Sequence, residues 1–365
     1  MGLFKLGEKP VGTQSVLLGV LGGVFLLVVW WGLAEAFSRQ KPIVAYETQL
    51  ENEGVGVNRD SLARVDSLNF AHATKFEKIY PLLPPPDRVI GSLGALVTKD
   101  DLLGNMLYSL GLNIKGYFWA ISLALLLGFP IGLFPLFRGM FSRSVDALRY
   151  LPLSALTGLF ILWFGLYDHM KIAFLAFGIL VYLLPVVVQR IDEVEDVYKT
   201  AVYTLGATNW QMIRTVYIPS VLGKIMDDIR VLTAISWTYI IIAELQNRTF
   251  GLGSLIYLKF KSGQIDKAFA ILLVIIVIGF LQDRIFAYID RRLNPHKYFK
   301  REPEGVLETR YGIYTLLGLV LIVILQEVFF PQFSGGMMNL VWIGSIAAVA
   351  IIGFGEWKVW QTTKG

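Results

Sequence analysis

Between Val16 and Ala34 the chain carries no charged side chain, and similar blocks recur at 116–137, 172–189, 268–282, 311–326 and 328–355. No other feature restricts the possible folds as much. In a hydrocarbon layer every unpaired backbone N–H or C=O is costly, so a crossing segment must bond to itself, and about 20 apolar residues are needed to cross as a helix. Composition agrees: 17% of residues are charged, against about 25% in an ordinary soluble domain. The chain therefore reads as all-α, a polytopic membrane helical bundle. About eight spans are expected, near 16–36, 112–136, 146–166, 171–189, 226–246, 268–289, 311–330 and 338–356. The span at 226–246 is the weakest, because its uncharged stretch lies between Arg230 and Glu244.

Lys and Arg beside the spans set their orientation. With a cytoplasmic N-terminus, the inner loops hold Arg138, Arg143 and Arg149; then Arg190, Lys199, Arg214 and Lys224; then Arg291, Arg292, Lys297, Lys300, Arg301 and Arg310. Both termini are then cytoplasmic. The net charge of +5 is accounted for by these loops, so membrane orientation explains it and no nucleic-acid partner is called for. Lys5 and Lys9 precede the first block. Because that block ends in Trp30-Trp31, at an aromatic interface, and not at a cleavage site, a retained helix is expected.

There is no cysteine, so disulfide and thiolate chemistry are absent. His72, His169 and His296 fall in three separate segments, which argues against a histidine metal site, and no catalytic set is assigned. The organisation expected is a tail and first span at 1–37, an extracytoplasmic segment at 38–104, a core at 105–295 with a cytoplasmic loop at 190–225, a basic linker at 296–310, and a further helix pair at 311–358. The segment 38–104 contains the stiff run Pro84-Pro85-Pro86 and has too few apolar residues for a separate domain.

The loop is the most informative stretch. Residues 200–219 read as a helix, a break at Gly206, a short second helix and a stop at Pro219. Gly adopts the left-handed conformation that ends a helix. Thr208 with Gln211 three residues on forms a capping box. Trp210, Ile213 and Tyr217 share one helical face. Two readings stand: an amphipathic helix lying on the membrane surface, or an element that docks into a partner's groove. Glu244 ends an otherwise apolar span. An acid at membrane depth is a functional candidate; the alternative is an interfacial carboxylate paired with Arg248 one turn on. Glu35, Glu327 and Glu356 read as interfacial, and Asp283-Arg284 as a local pair.

Several motifs in sequence order resemble one known family. They are Leu83-Pro84-Pro85-Pro86-Asp87-Arg88-Val89; Leu151-Pro152; Ile161-Leu162-Trp163-Phe164-Gly165; Thr200-Ala201-Val202 with Gly206, Val216, Ile218 and Pro219; Trp210-Gln211; Ala243-Glu244 with Gly251-Leu252-Gly253; and Asp290-Arg291-Arg292-Leu293. Over roughly 82–295 the chain resembles binding-protein-dependent ABC importer permeases, the inner-membrane components, in their nitrate/sulfonate/taurine-type branch. It departs from them at Thr200, where the family has Glu, at Leu112, where a basic residue is expected, and in 296–365, which lie outside the pattern.

The resemblance implies a type I-like permease core in the bacterial cytoplasmic (inner) membrane that forms a pathway for a small solute such as nitrate, a sulfonate or taurine, or bicarbonate. It implies cytoplasmic ABC ATPase subunits, a second permease copy, an extracytoplasmic solute-binding protein and surrounding lipid as partners. Thr200, Ala201, Val202, Gly206, Thr208, Trp210, Val216, Ile218 and Pro219 would form the ATPase-coupling loop, with Glu244 and Trp163 on the substrate pathway. No Gly-x-x-x-x-Gly-Lys-Ser/Thr loop is present, so ATP would be bound by the partner and no cofactor by this chain. Competing classes are a secondary transporter, an assembly subunit of a larger complex, and a membrane-embedded enzyme. The first would need repeats and polar groups at mid-depth, and the spans show few such groups; the last would need clustered catalytic side chains.

Overall fold

Among the described residues the charge-free blocks are helical except at Phe134, as the cost of unpaired backbone in hydrocarbon requires. The computed structural model describes residues 12–42, 76–299, 303–329 and 334–364; Lys5, Lys9, His72, Lys300 and Arg301 lie outside them. In chain order the elements are α1 (Thr13–Ala36), β1 (Arg39–Pro42), β2 (Phe76–Ile79), α2 (Pro86–Lys99), α3 (Leu102–Leu133), α4 (Pro135–Leu148), α5 (Thr157–Phe164) and α6 (Asp168–Asp192). There follow α7 (Asp196–Thr204), α8 (Asn209–Met212), α9 (Ile218–Asn247), α10 (Leu252–Lys261), α11 (Ile265–Leu293), α12 (Val306–Phe329) and α13 (Ser334–Lys364).

Six of these, α1, α3, α6, α11, α12 and α13, are long and apolar enough to cross a membrane. The expected span at 146–166 is not one helix. α4 ends at Leu148, and the chain bends by 95° before a 3-10 turn leads into α5. Pro152 lies in that break; it lacks a donor and pushes the residue before it towards extended backbone. Counted as one broken span, this pair raises the tally to seven. The expected span at 226–246 lies within α9, whose 30 residues rise about 45 Å. Lys224, Asp227, Asp228 and Arg230 shorten its apolar stretch, which is why it falls outside the set of six.

The chain divides into two compact units, Met1–Leu102 with Ile256–Leu273, and Leu103–Leu255 with Val274–Gly365. In the first, β1 pairs antiparallel with β2, Arg39 opposite Ile79. Glu35 at the end of α1 binds Lys78 and accepts from the Tyr80 hydroxyl at 3.0 Å. Trp30 Nε1 donates to the Pro84 carbonyl at 2.9 Å. α2 starts with Pro86, whose missing N–H costs nothing at a helix start. Asp100 accepts from Lys259 at 2.6 Å and Lys267 at 2.7 Å. Burial opposes its charge, but the two ammonium groups outweigh burial and hold the carboxyl below its usual range. The 38–104 segment thus carries a strand pair and a helix that the sequence did not announce.

In the second unit α6 is the most enclosed span. α3 runs beside it in close contact. A Cβ on Gly116 would come within 2.5 Å of Leu175, and one on Gly128 within 2.6 Å of Val187. Small residues replace apolar driving force where helices pack within lipid. The C-terminal pair is fastened on as well. Gly312 and Gly355 let α12 and α13 pack backbone to side chain. Lys358 bridges to Glu308 at 2.5 Å, and Glu356 accepts from Tyr288 at 2.6 Å and Arg292 at 2.5 Å, both on α11.

Candidate functional site

The 190–225 loop is built on an anchored root. Arg190, in the last turn of α6, donates from Nε and Nη2 to the two oxygens of Asp228 on α9, both at 2.8 Å, and from Nη1 to Glu193 at 2.7 Å. A planar two-point pair of this kind fixes geometry as well as distance. Lys224 donates to the Glu193 carbonyl at 3.0 Å. Hydrogen bonding from Arg190 holds the Glu193 carboxyl below its usual range. The signal for this root, Arg190 with Glu193 and the Asp227-Asp228 pair, lay in the sequence without being read.

From the root α7 projects with no buried residue. It closes in a Schellman arrangement: Gly206 N–H donates to the Tyr203 carbonyl at 2.9 Å and Ala207 N–H to that of Val202 at 3.3 Å, with Gly206 at φ +77°. Thr208 then caps α8. Its Oγ1 accepts from Gln211 N–H at 3.3 Å, and Gln211 Oε1 accepts from Thr208 N–H at 2.8 Å, the reciprocal pair expected. Met212 and Val216 turn inward, while Trp210 is 67% exposed. Tyr198, Tyr203 and Leu205 are exposed as well, so α7 and α8 carry several exposed apolar side chains. Thr200, Ala201 and Pro219 are exposed; Val202 and Ile218 are half-buried.

One expectation fails here. Pro219 does not stop the second helix. A π turn at Ile213–Tyr217 widens the coil, Ile218 N–H reaches back to the Ile213 carbonyl, and the chain runs on as α9 with Pro219 in its first turn. A proline lacks the donor for the carbonyl four residues back, and a widened turn absorbs that loss without ending the helix.

Glu244 is not interfacial in its surroundings: it has 0% exposure. One carboxylate oxygen accepts from Ser109 Oγ at 2.6 Å and the other from Gly253 N–H at 2.7 Å. Ser109 accepts in turn from Leu252 N–H at 2.9 Å, and Asn105 from Gly251 N–H at 2.7 Å. Arg248 Nε donates to the Leu245 carbonyl. Glu244 therefore clamps the Gly251-Leu252-Gly253 turn to α3. Gly251 sits at φ +110°, and a Cβ there would overlap the carboxylate. Further along α3, Asn113 donates to Ser236 at 3.1 Å and accepts from Gln282 at 3.0 Å, while Gln282 accepts from Trp237 Nε1 at 3.0 Å. These few polar groups within the helices are thus paired with one another. The expected Asp283-Arg284 pair is corrected as well. Asp283 binds Arg230 of α9 at 3.0 Å, and Arg284 stacks over the Phe280 ring at 4.8 Å. Glu327, Glu35 and Glu356 each hold a partner across helices or strands.

Trp163 and Glu244 are not brought together. Trp163 lies on α5 beside Phe160 and lines an apolar cavity that shares no residue with the Glu244 network.

Residues 116–295 match the family described as binding-protein-dependent transport system inner membrane component. The chain is similar to the taurine transport system permease protein of Escherichia coli (strain K12), 28% identical over 60% of this chain and 81% of that one. It is also similar to the putative aliphatic sulfonates transport permease protein of Bacillus subtilis (strain 168), 28% identical over 58% and 77% of the two chains. A putative ABC transporter permease of Methanocaldococcus jannaschii is 29% identical over 60% and 82%. Among solved structures, the crystal structure of an amino acid ABC transporter with histidines has a TM-score of 0.45 at 15% identity, over 56% of this chain and 97% of that one.

Proposed function

Because residues 116–295 match the family of binding-protein-dependent transport system inner membrane components, we propose that this chain is the membrane-spanning subunit of an ATP-driven importer and that α7 and α8 are its contact with a cytoplasmic ATPase. The observation that carries the proposal is the exposed set Tyr198, Tyr203, Leu205 and Trp210, held on a root fixed by the two-point Arg190–Asp228 pair. An amphipathic element with rigid ends passes a partner's motion to the spans as a rigid body, whereas a loose surface helix would not. ATP bound by the partner would supply the motion, two copies of this chain would enclose the pathway, and an extracytoplasmic binding protein would deliver the solute. The basic loops at 138–149, 190–225 and 291–310 support a cytoplasmic side for that partner. The relatives' names support a small organic sulfonate or a related anion as cargo.

The test is Gly206→Glu. Nothing lies within 4 Å of a Cβ built at Gly206, so the substitution meets no clash there; its cost comes from φ +77°, which a side chain disfavours by about 1–2 kcal/mol. The altered chain should insert in the membrane in normal amount but, when purified in mild detergent, bring down no ATP hydrolysis, unlike the unaltered chain. Equal ATP hydrolysis from both preparations would refute the docking role.

A further inference from the structure

Between α3, α5, α6 and α12 lies the cavity of about 450 Å³ that Trp163 lines, apart from the Glu244 network. Its size falls within the roughly 300–1,000 Å³ of small-molecule sites. Gly116 against Leu175 and Gly128 against Val187 set α3 and α6 parallel and in register. Lys115 and His169 therefore mark one end of the cavity, and Leu123 and Leu180 the other. Along α6, His169 to Leu180 is a rise of roughly 16 Å. The deep end is apolar and aromatic, with Trp119, Phe160 and Phe177. The polar end holds a complementary pair: Lys115 lies 2.6 Å from Glu327 of α12, a helix beyond the matched residues 116–295.

We propose that this cavity binds one membrane phospholipid with a zwitterionic headgroup, its acyl chain lying in the aromatic slot and its phosphate and ammonium facing Lys115 and Glu327. Three of the four walls, α3, α6 and α12, are helices long and apolar enough to cross a membrane, so the slot is walled by candidate spans. A simple anion would meet the Glu327 carboxylate beside Lys115. A head carrying both charges can exchange partners with the pair, giving its phosphate a donor and its ammonium an acceptor, while His169 offers the phosphate a second donor. The rings of the slot give the acyl chain close van der Waals contact, and the ion pair selects the head.

Native mass spectrometry of the full chain, purified in mild detergent from membranes containing phosphatidylethanolamine and phosphatidylglycerol, tests this. One retained phosphatidylethanolamine per chain is expected. Ala173→Phe, which fills the slot, should lose that adduct. The double variant Lys115→Met with Glu327→Met, which leaves no unpaired charge, should lose its preference for phosphatidylethanolamine and would decide the matter if Ala173→Phe failed to fold. The proposal is overturned if the adduct persists in both variants, if phosphatidylglycerol is retained instead, or if added taurine displaces the lipid and marks the cavity as a solute site.

Discussion

Glu244 has no exposure to solvent, and its two oxygens each receive one hydrogen bond, from Ser109 and from the Gly253 backbone. Removing one acceptor leaves a buried donor unmatched, at about 1–3 kcal/mol. Glu244→Gln should therefore lower the melting temperature of the purified protein, and Gly251→Ala should lower it at least as far, because a Cβ there meets the carboxylate in a backbone conformation side chains disfavour. Wild-type melting in both variants would remove the clamp from the picture. Glu244 stood out in the sequence as an acid in an apolar span. The recurrence of Asn105, Ser109, Asn113 and Tyr117 every four residues, one face of a helix, lay there unread. What each one binds was not legible, because Ser109 and Glu244 are separated by 135 residues and only the packed bundle brings them together.

The loop shows the same boundary at the scale of elements. Gly206 and the Thr208–Gln211 capping box could be read because each is a contact within three residues. Pro219 misled because a proline reads as a stop unless the coil can widen, and the π turn at Ile213–Tyr217 follows from continuity with α9, not from any local pattern. The bend of 95° after α4 was hidden similarly: apolar content ran through it, and only Pro152 marked the break. The root also carries a pH dependence. Hydrogen bonding from Arg190 depresses the Glu193 carboxyl, so its contribution is present above the ordinary carboxylate range and is lost as pH falls through the lower folded-state value. A spin label at position 203 should become more mobile as pH is lowered across that window, and Glu193→Gln should give the mobile spectrum already at neutral pH. A label insensitive to both would show that the root does not hold the loop through Glu193.

For the whole molecule, the family match covers 116–295, while α12 and α13 lie beyond it and are fastened through Glu356 to α11 and through Glu327 to α3. Their apolar runs made two more spans readable from sequence; their seating on the core was not, since it depends on ion pairs between distant segments. The role proposed for this bundle gives it an external motor that docks on the 190–225 loop. The most direct measurement of that claim replaces Trp210 with a photo-crosslinking amino acid in native membranes and identifies what is captured. The expected result is a soluble chain carrying a Gly-x-x-x-x-Gly-Lys-Ser/Thr loop, joined at position 210. Capture of lipid alone would contradict an ATPase contact and assign the loop to the membrane surface.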